Sequence, residues 1–121
     1  MEIWKKIDRY PGYEVSDQGR IKSYLQSKEG KILQGKNVKG YIGIDFRVGG
    51  KTIQDLLHRV VMFTFAPVEN WEELTVNHKN GDRTDNRLEN LEWLTNSENI
   101  SHARRELKTG KAARKVHVIT L

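Results

Sequence analysis

VNHKNGDRTDNRLENLEW, residues 76–93, decides how the chain is built. One histidine, His78, stands between Asn77 and Lys79, and a loop dense in Gly, Asp and Asn follows. Asp and Asn side chains bond their own backbone and Gly accepts positive φ, so this composition encodes a turn. Apolar residues return at Leu88, Leu91 and Trp93. The order predicts a strand over 75–78, a polar loop, a strand over 90–95, and then a helix from about Asn96 to Lys108. Thr95 and Glu98 fit a capping box at that helix's start, and Gly110 fits its exit. Ile100, Ala103 and Leu107 make its apolar stripe, with Asn99, His102 and Glu106 about 90° round on the adjoining face.

A ββα unit brings the end of its first strand close to the first turn of its helix. That gathers Asn77 and His78 with Asn99, and with His102 at i+3 from Asn99. One imidazole and two carboxamides at one point describe a weak divalent-metal site beside a base. Oxygen donors favour Mg²⁺ or Mn²⁺, while imidazole nitrogen shifts the choice toward Zn²⁺, Ni²⁺ or Co²⁺. His102 reads equally as a ligand or as an exposed helix histidine.

Upstream the period changes twice. In YIGIDFRV, residues 41–48, Ile42, Ile44, Phe46 and Val48 alternate with Tyr41, Gly43, Asp45 and Arg47, the pattern of a half-buried strand. Gly49-Gly50 turns it into Lys51–Gln54 as a hairpin. Pro11-Gly12, Asp17-Gln18-Gly19 and Lys28-Glu29-Gly30 mark earlier turns, so the opening region is expected to form one small antiparallel sheet. Residues 56–67, LLHRVVMFTFAP, place Leu57, Val60, Val61, Thr64 and Phe65 at helical spacing, stopped by Pro67. His58 is expected to pack or hydrogen-bond at the start of this helix, and His117 lies in the tail. Trp4, Tyr13, Phe46, Phe63, Phe65 and Trp93 read as core.

The 121 residues suit one compact domain, or one with an appended arm. Zero cysteines exclude disulfides and thiolate zinc sites. No run approaches the roughly 18 apolar residues of a membrane helix, and no signal pattern opens the chain, so a cytoplasmic setting is expected. The formal charge of +5 resides in residues 104–121, where Arg104, Arg105, Lys108, Lys111, Arg114 and Lys115 face Glu106 alone. Such an arm reads as a phosphate-binding element or as a solvated tail. Its strand-like, apolar last residues are expected to belong to a longer chain.

VNH, then NRLENLEW, then SENISHA resembles the HNH nuclease motif of phage and intron-encoded homing endonucleases. HRVVMFTF is similar to that family's leading helix, and residues 3–23 resemble the DNA-binding module that precedes such nucleases. The resemblance covers residues 2–103. It implies an α+β protein: an N-terminal antiparallel β module (1–54), an HNH ββα-metal core (55–108) and a basic C-terminal arm (109–121). By position it implies His78 as the general base, Asn90 as the asparagine tying the loop together, and Asn77 and Asn99 as metal ligands, with His102 added to the metal side by its i+3 spacing alone. Asn77 departs from relatives that carry aspartate there, which weakens the hold on a cation.

The expected partner is double-stranded DNA, nicked or cleaved by hydrolysis. One site per chain fits a nick by a monomer, while a double-strand cut needs a second site. Candidate phosphate contacts are Arg47 and Lys51 on the sheet, Arg59, Lys79, Arg83 and Arg87 around the motif, and Arg104, Arg105, Lys108 and Lys111 on the arm. Arg20, Lys22, Lys36 and Lys39 add charge to the sheet. The alternative function is a DNA-binding module of the same fold whose nuclease site is weak or dead.

Overall fold

A computed structural model describes residues 1–95. The expected second helix, Asn99, His102 and the basic segment from Arg104 onward lie outside the described residues.

Three antiparallel sheets and one helix make up the described chain. β1 (Trp4–Lys6), β2 (Tyr13–Ser16), β3 (Ile21–Ser23) and β4 (Lys31–Leu33) form a four-stranded meander. β5 (Lys36–Val38), β6 (Tyr41–Val48) and β7 (Lys51–Leu56) form a second sheet, and β8 (Leu74–His78) pairs with β9 (Leu91–Thr95) as a third. The single sheet expected for the opening region is therefore two. The chain changes sheets at Gln34-Gly35, where a side chain on Gly35 would collide with Ile42. Alternating hydrophobicity marks strands but carries no information about which sheet each one joins.

β6 and β7 meet as the sequence pattern predicts. Val48 pairs with Lys51 across Gly49-Gly50, whose φ angles of +60° and +80° are those of a two-residue hairpin turn. Phe46 is fully buried, with Tyr10 stacked on it at 4.0 Å and Tyr13 edge-on at 4.8 Å. The Tyr10 hydroxyl donates to Asp55, and the Tyr13 hydroxyl oxygen accepts from the Arg47 amide at 2.9 Å.

The helix α1 (Leu57–Phe65) has no side-chain N-cap, no acid in its first turn and no base in its last. Nine residues are too few for a helix to hold in water by itself, so packing must sustain it. Leu57, Val60, Val61 and Met62 are all buried, each contributing about 1.5–3 kcal/mol. α1 touches strands of all three sheets. At its far end Phe63 packs on Trp71 and Trp93, and Trp93 Nε1 donates to the Ala66 carbonyl at 2.6 Å. At its near end His58 is carried against His78, the last residue of β8.

Candidate functional site

His78 is 5% exposed. Its Nε2 lies 2.8 Å from Asn86 Oδ1. The Asn86 amide is oriented by its other end, since Nδ2 faces the Thr84 carbonyl at 3.5 Å and a carbonyl can only accept. An acceptor opposite Nε2 selects the neutral tautomer in which that nitrogen carries the proton. Nδ1 keeps the lone pair, and a proton arriving there makes an imidazolium already held by an oxygen.

The loop between β8 and β9 is tied from inside by Asn90, which is 6% exposed. Asn90 Oδ1 accepts from the Asn80 amide at 3.1 Å, and Nδ2 donates to the Asp85 carbonyl at 2.9 Å and to Asn80 Oδ1 at 3.0 Å. Its carbonyl accepts from the Lys79 amide at 2.8 Å. Asp82 adds local bonds to Thr84, and the Arg87 guanidinium holds the Asp85 carboxyl well below the usual carboxylate range. The expected β9 start at Asn90 shifts to Leu91, because Leu88–Asn90 closes into a 3₁₀ turn.

A brace from the N-terminal sheet reaches this loop. The Leu88 amide donates to the Asp17 carbonyl at 2.8 Å, and Gly19 lies against Asn86. Gly19 has φ +81°, and a Cβ there would stand 2.7 Å from the Asn86 carbonyl oxygen. Gly19→Ala combines left-handed strain with a backbone collision. It is expected to lower stability by about 2–4 kcal/mol, measured as the urea midpoint.

His58 is the site residue that sequence reasoning undervalued. It is 6% exposed, its ring lies 5.0 Å from that of His78 at 62°, and its Nδ1 has no hydrogen-bond partner among the described residues. Burial, then the neighbouring His78, then Arg59 push its pKa down to about 3. Tyr41 covers both imidazoles, at 5.0 Å from His58 and 6.0 Å from His78. Arg83 completes the stack: its guanidinium lies 4.9 Å from the Tyr41 ring, and Nη1 donates to the Lys39 carbonyl at 3.2 Å. The available signal was a histidine in the first turn of the helix, beside the apolar stripe of Leu57, Val60 and Val61.

Asn77 is paired across the hairpin with Glu92, and its Nδ2 donates to Glu92 Oε2 at 3.0 Å. Its partners are thus distinct from those of His78. Among the described residues no three His, Cys, Asp or Glu side chains converge as a metal cluster. Asn99 and His102 lie outside the described residues, as do Arg104, Arg105, Lys108 and Lys111.

Of the other basic candidates, Arg47, Lys51, Lys79 and Arg83 are exposed. Arg59 is half-buried, 3.8 Å from Asp55 and over the Phe63 ring. Arg87 is committed to the loop's own carboxylates, at 2.8 Å from Asp85 and 2.7 Å from Glu89. Its charge is neutralised locally and holds the loop, which weakens it as a phosphate contact.

Comparison with known proteins agrees with this architecture. Residues 2–47 match the NUMOD4 motif, and residues 55–100 match the HNH endonuclease model. The chain is 38% identical over 114 residues to the DNA endonuclease I-HmuI of Bacillus phage SP01, covering 90% of this chain and 63% of that one. It is 32% identical over 100 residues to the H-N-H endonuclease F-TflI of Escherichia phage T5, covering 81% and 48%. An uncharacterized HNH endonuclease of Acanthamoeba polyphaga mimivirus is 41% identical over 106 residues, covering 84% of this chain but 26% of the viral protein. The solved structure of I-HmuI, described as DNA binding and cleavage by an HNH homing endonuclease, superposes with a TM-score of 0.74 at 35% identity, covering 85% and 59%. The chain thus spans under two thirds of the length of each of these relatives.

Proposed function

We propose, from the match of residues 55–100 to the HNH endonuclease model, that the chain hydrolyses phosphodiester bonds in duplex DNA with a divalent metal ion. His78 is the general base in this reading. The observation that carries it is the buried His78–Asn86 bond, which leaves Nδ1 as the lone-pair nitrogen. His78 Nδ1 takes a proton from the attacking water, and Asn86 Oδ1 supports the imidazolium that results. Asn90 serves by holding the loop that carries both. In this reading exposed Lys79 and Arg83 contact phosphates beside the loop, and Arg47 and Lys51 on the sheet extend the contact.

The donors present suit a hard cation. Asn77 offers a carboxamide oxygen, a hard donor of the kind Mg²⁺ and Mn²⁺ prefer, and the Glu92 carboxylate stands beside it. Asn77, with Asn99 and His102 beyond the described residues, would hold it. When bound, the ion supplies Lewis-acid stabilisation of the phosphate charge and of the departing 3′ oxygen. Duplex DNA as partner, and a host cytoplasm as setting, follow from the same reading. No described helix is long and apolar enough to cross a membrane.

A second reading, a DNA-binding module with a weak or dead site, draws on the uncharged Asn77. Supercoiled plasmid separates the two. Conversion to open circles in Mg²⁺ or Mn²⁺, abolished by chelation, is the expected result. DNA retardation in a gel with no cutting under any divalent metal would leave only the binding module.

A further inference from the structure

We infer that Glu92 is a positioning residue for the cation site, orienting Asn77 and supplying the negative charge that Asn77 lacks. The inference rests on the proposed reading of Asn77 as a metal ligand. Glu92 stands directly opposite Asn77 in the β8–β9 register, where facing side chains have Cβ atoms about 5 Å apart. A carboxylate can only accept, so the end of the Asn77 amide that meets Glu92 Oε2 at 3.0 Å is its NH₂ group. The amide is thereby held with Oδ1 as the free end, the only atom of that side chain able to ligate a cation.

Charge points the same way. Arg87 is paired with Asp85 and Glu89 in the neighbouring loop, Arg20 with Glu2, and Lys36 with Asp45. Glu92 is half-buried and takes part in none of the ion pairs among the described residues. A half-buried carboxylate whose partner among the described residues is one neutral amide has its charge left over there, and that charge sits one hydrogen bond from the candidate ligand. Asn77 and Glu92 together carry the charge of a single aspartate, split between an oriented oxygen and the group that orients it.

Mn²⁺ binding to the intact chain, followed by electron paramagnetic resonance with and without duplex DNA, tests this apart from cutting. Glu92→Gln can still accept from Asn77 Nδ2, so it removes charge while keeping shape and a bond. It is expected to weaken Mn²⁺ binding by about tenfold, the ordinary effect of losing an outer-shell partner, with the melting temperature unchanged. Asn77→Asp is expected to tighten binding by about the same factor, and the double variant to return near wild type, since the charge count is restored. Glu92→Gln binding within twofold of wild type overturns the inference. Asn77→Asp then tells which reading failed: if it tightens binding, Asn77 remains a ligand and only the role of Glu92 is lost. If it too is silent, or if the wild-type chain binds no Mn²⁺, the metal reading fails with it.

Discussion

His78→Ala is expected to reduce plasmid nicking by about 10²–10⁴-fold, the usual contribution of a positioned general base, with DNA retardation unchanged. The separation of the two readouts follows from burial. At 5% exposure, with one nitrogen on Asn86 and its ring against His58, the imidazole has little surface to offer to a duplex. It can act on a small reactant such as water without contributing to grip. The loss should appear in kcat, with KM nearly constant, because the base acts only as the water loses its proton. Asn86→Ala should fall between wild type and His78→Ala. It removes the acceptor that selects the tautomer and leaves the base itself in place. Cutting by His78→Ala within threefold of wild type would exclude His78 as the base and direct attention to His58, the other buried imidazole.

Much of this centre was legible in the sequence because the loop folds on itself. Asn80, Asp82, Asp85 and Asn90 lie within ten residues of one another, and their short polar side chains bond local backbone. The β6–β7 hairpin and α1 were legible for the same reason, each being a local period with a local stop. What escaped were pairings between distant segments. Gly19 in a turn of the first sheet reads as turn chemistry alone, and nothing near it in sequence announces that it must also admit Asn86. Glu92 reads as the polar face of a strand until register sets it opposite Asn77. His58 and His78 are twenty residues apart, and only the approach of α1 to the end of β8 makes them neighbours. The division of β1–β7 into two sheets has the same origin, since strand partners are chosen by tertiary packing.

Acid should unfold this protein partly through His58. Its folded pKa of about 3, lowered first by burial and then by His78 and Arg59, lies below the ordinary histidine value of 6.5. Between those values the unfolded chain binds a proton that the folded chain refuses, so stability rises with pH through that window and is complete above 6.5. At 1.36 kcal/mol per pH unit the group removes about 3 kcal/mol of stability between pH 6.5 and pH 4. Glu2 and Asp85, both lowered by arginine partners, add to acid sensitivity, so the wild-type curve alone does not isolate the histidine. Comparison with His58→Leu does. Leucine fills similar space, titrates nowhere and removes Nδ1, a buried polar atom without a partner among the described residues, which costs about 1–3 kcal/mol. Urea unfolding at pH 4, 5, 6 and 7 is therefore expected to show the leucine variant more stable at every pH. Its advantage should be smallest at pH 7 and should widen by about 3 kcal/mol toward pH 4. Parallel curves would show that His58 takes up its proton in the folded chain as readily as in the unfolded one, which requires water to reach its ring. A widening advantage identifies an imidazole kept neutral against the candidate base, at a position where an apolar side chain would be more stable.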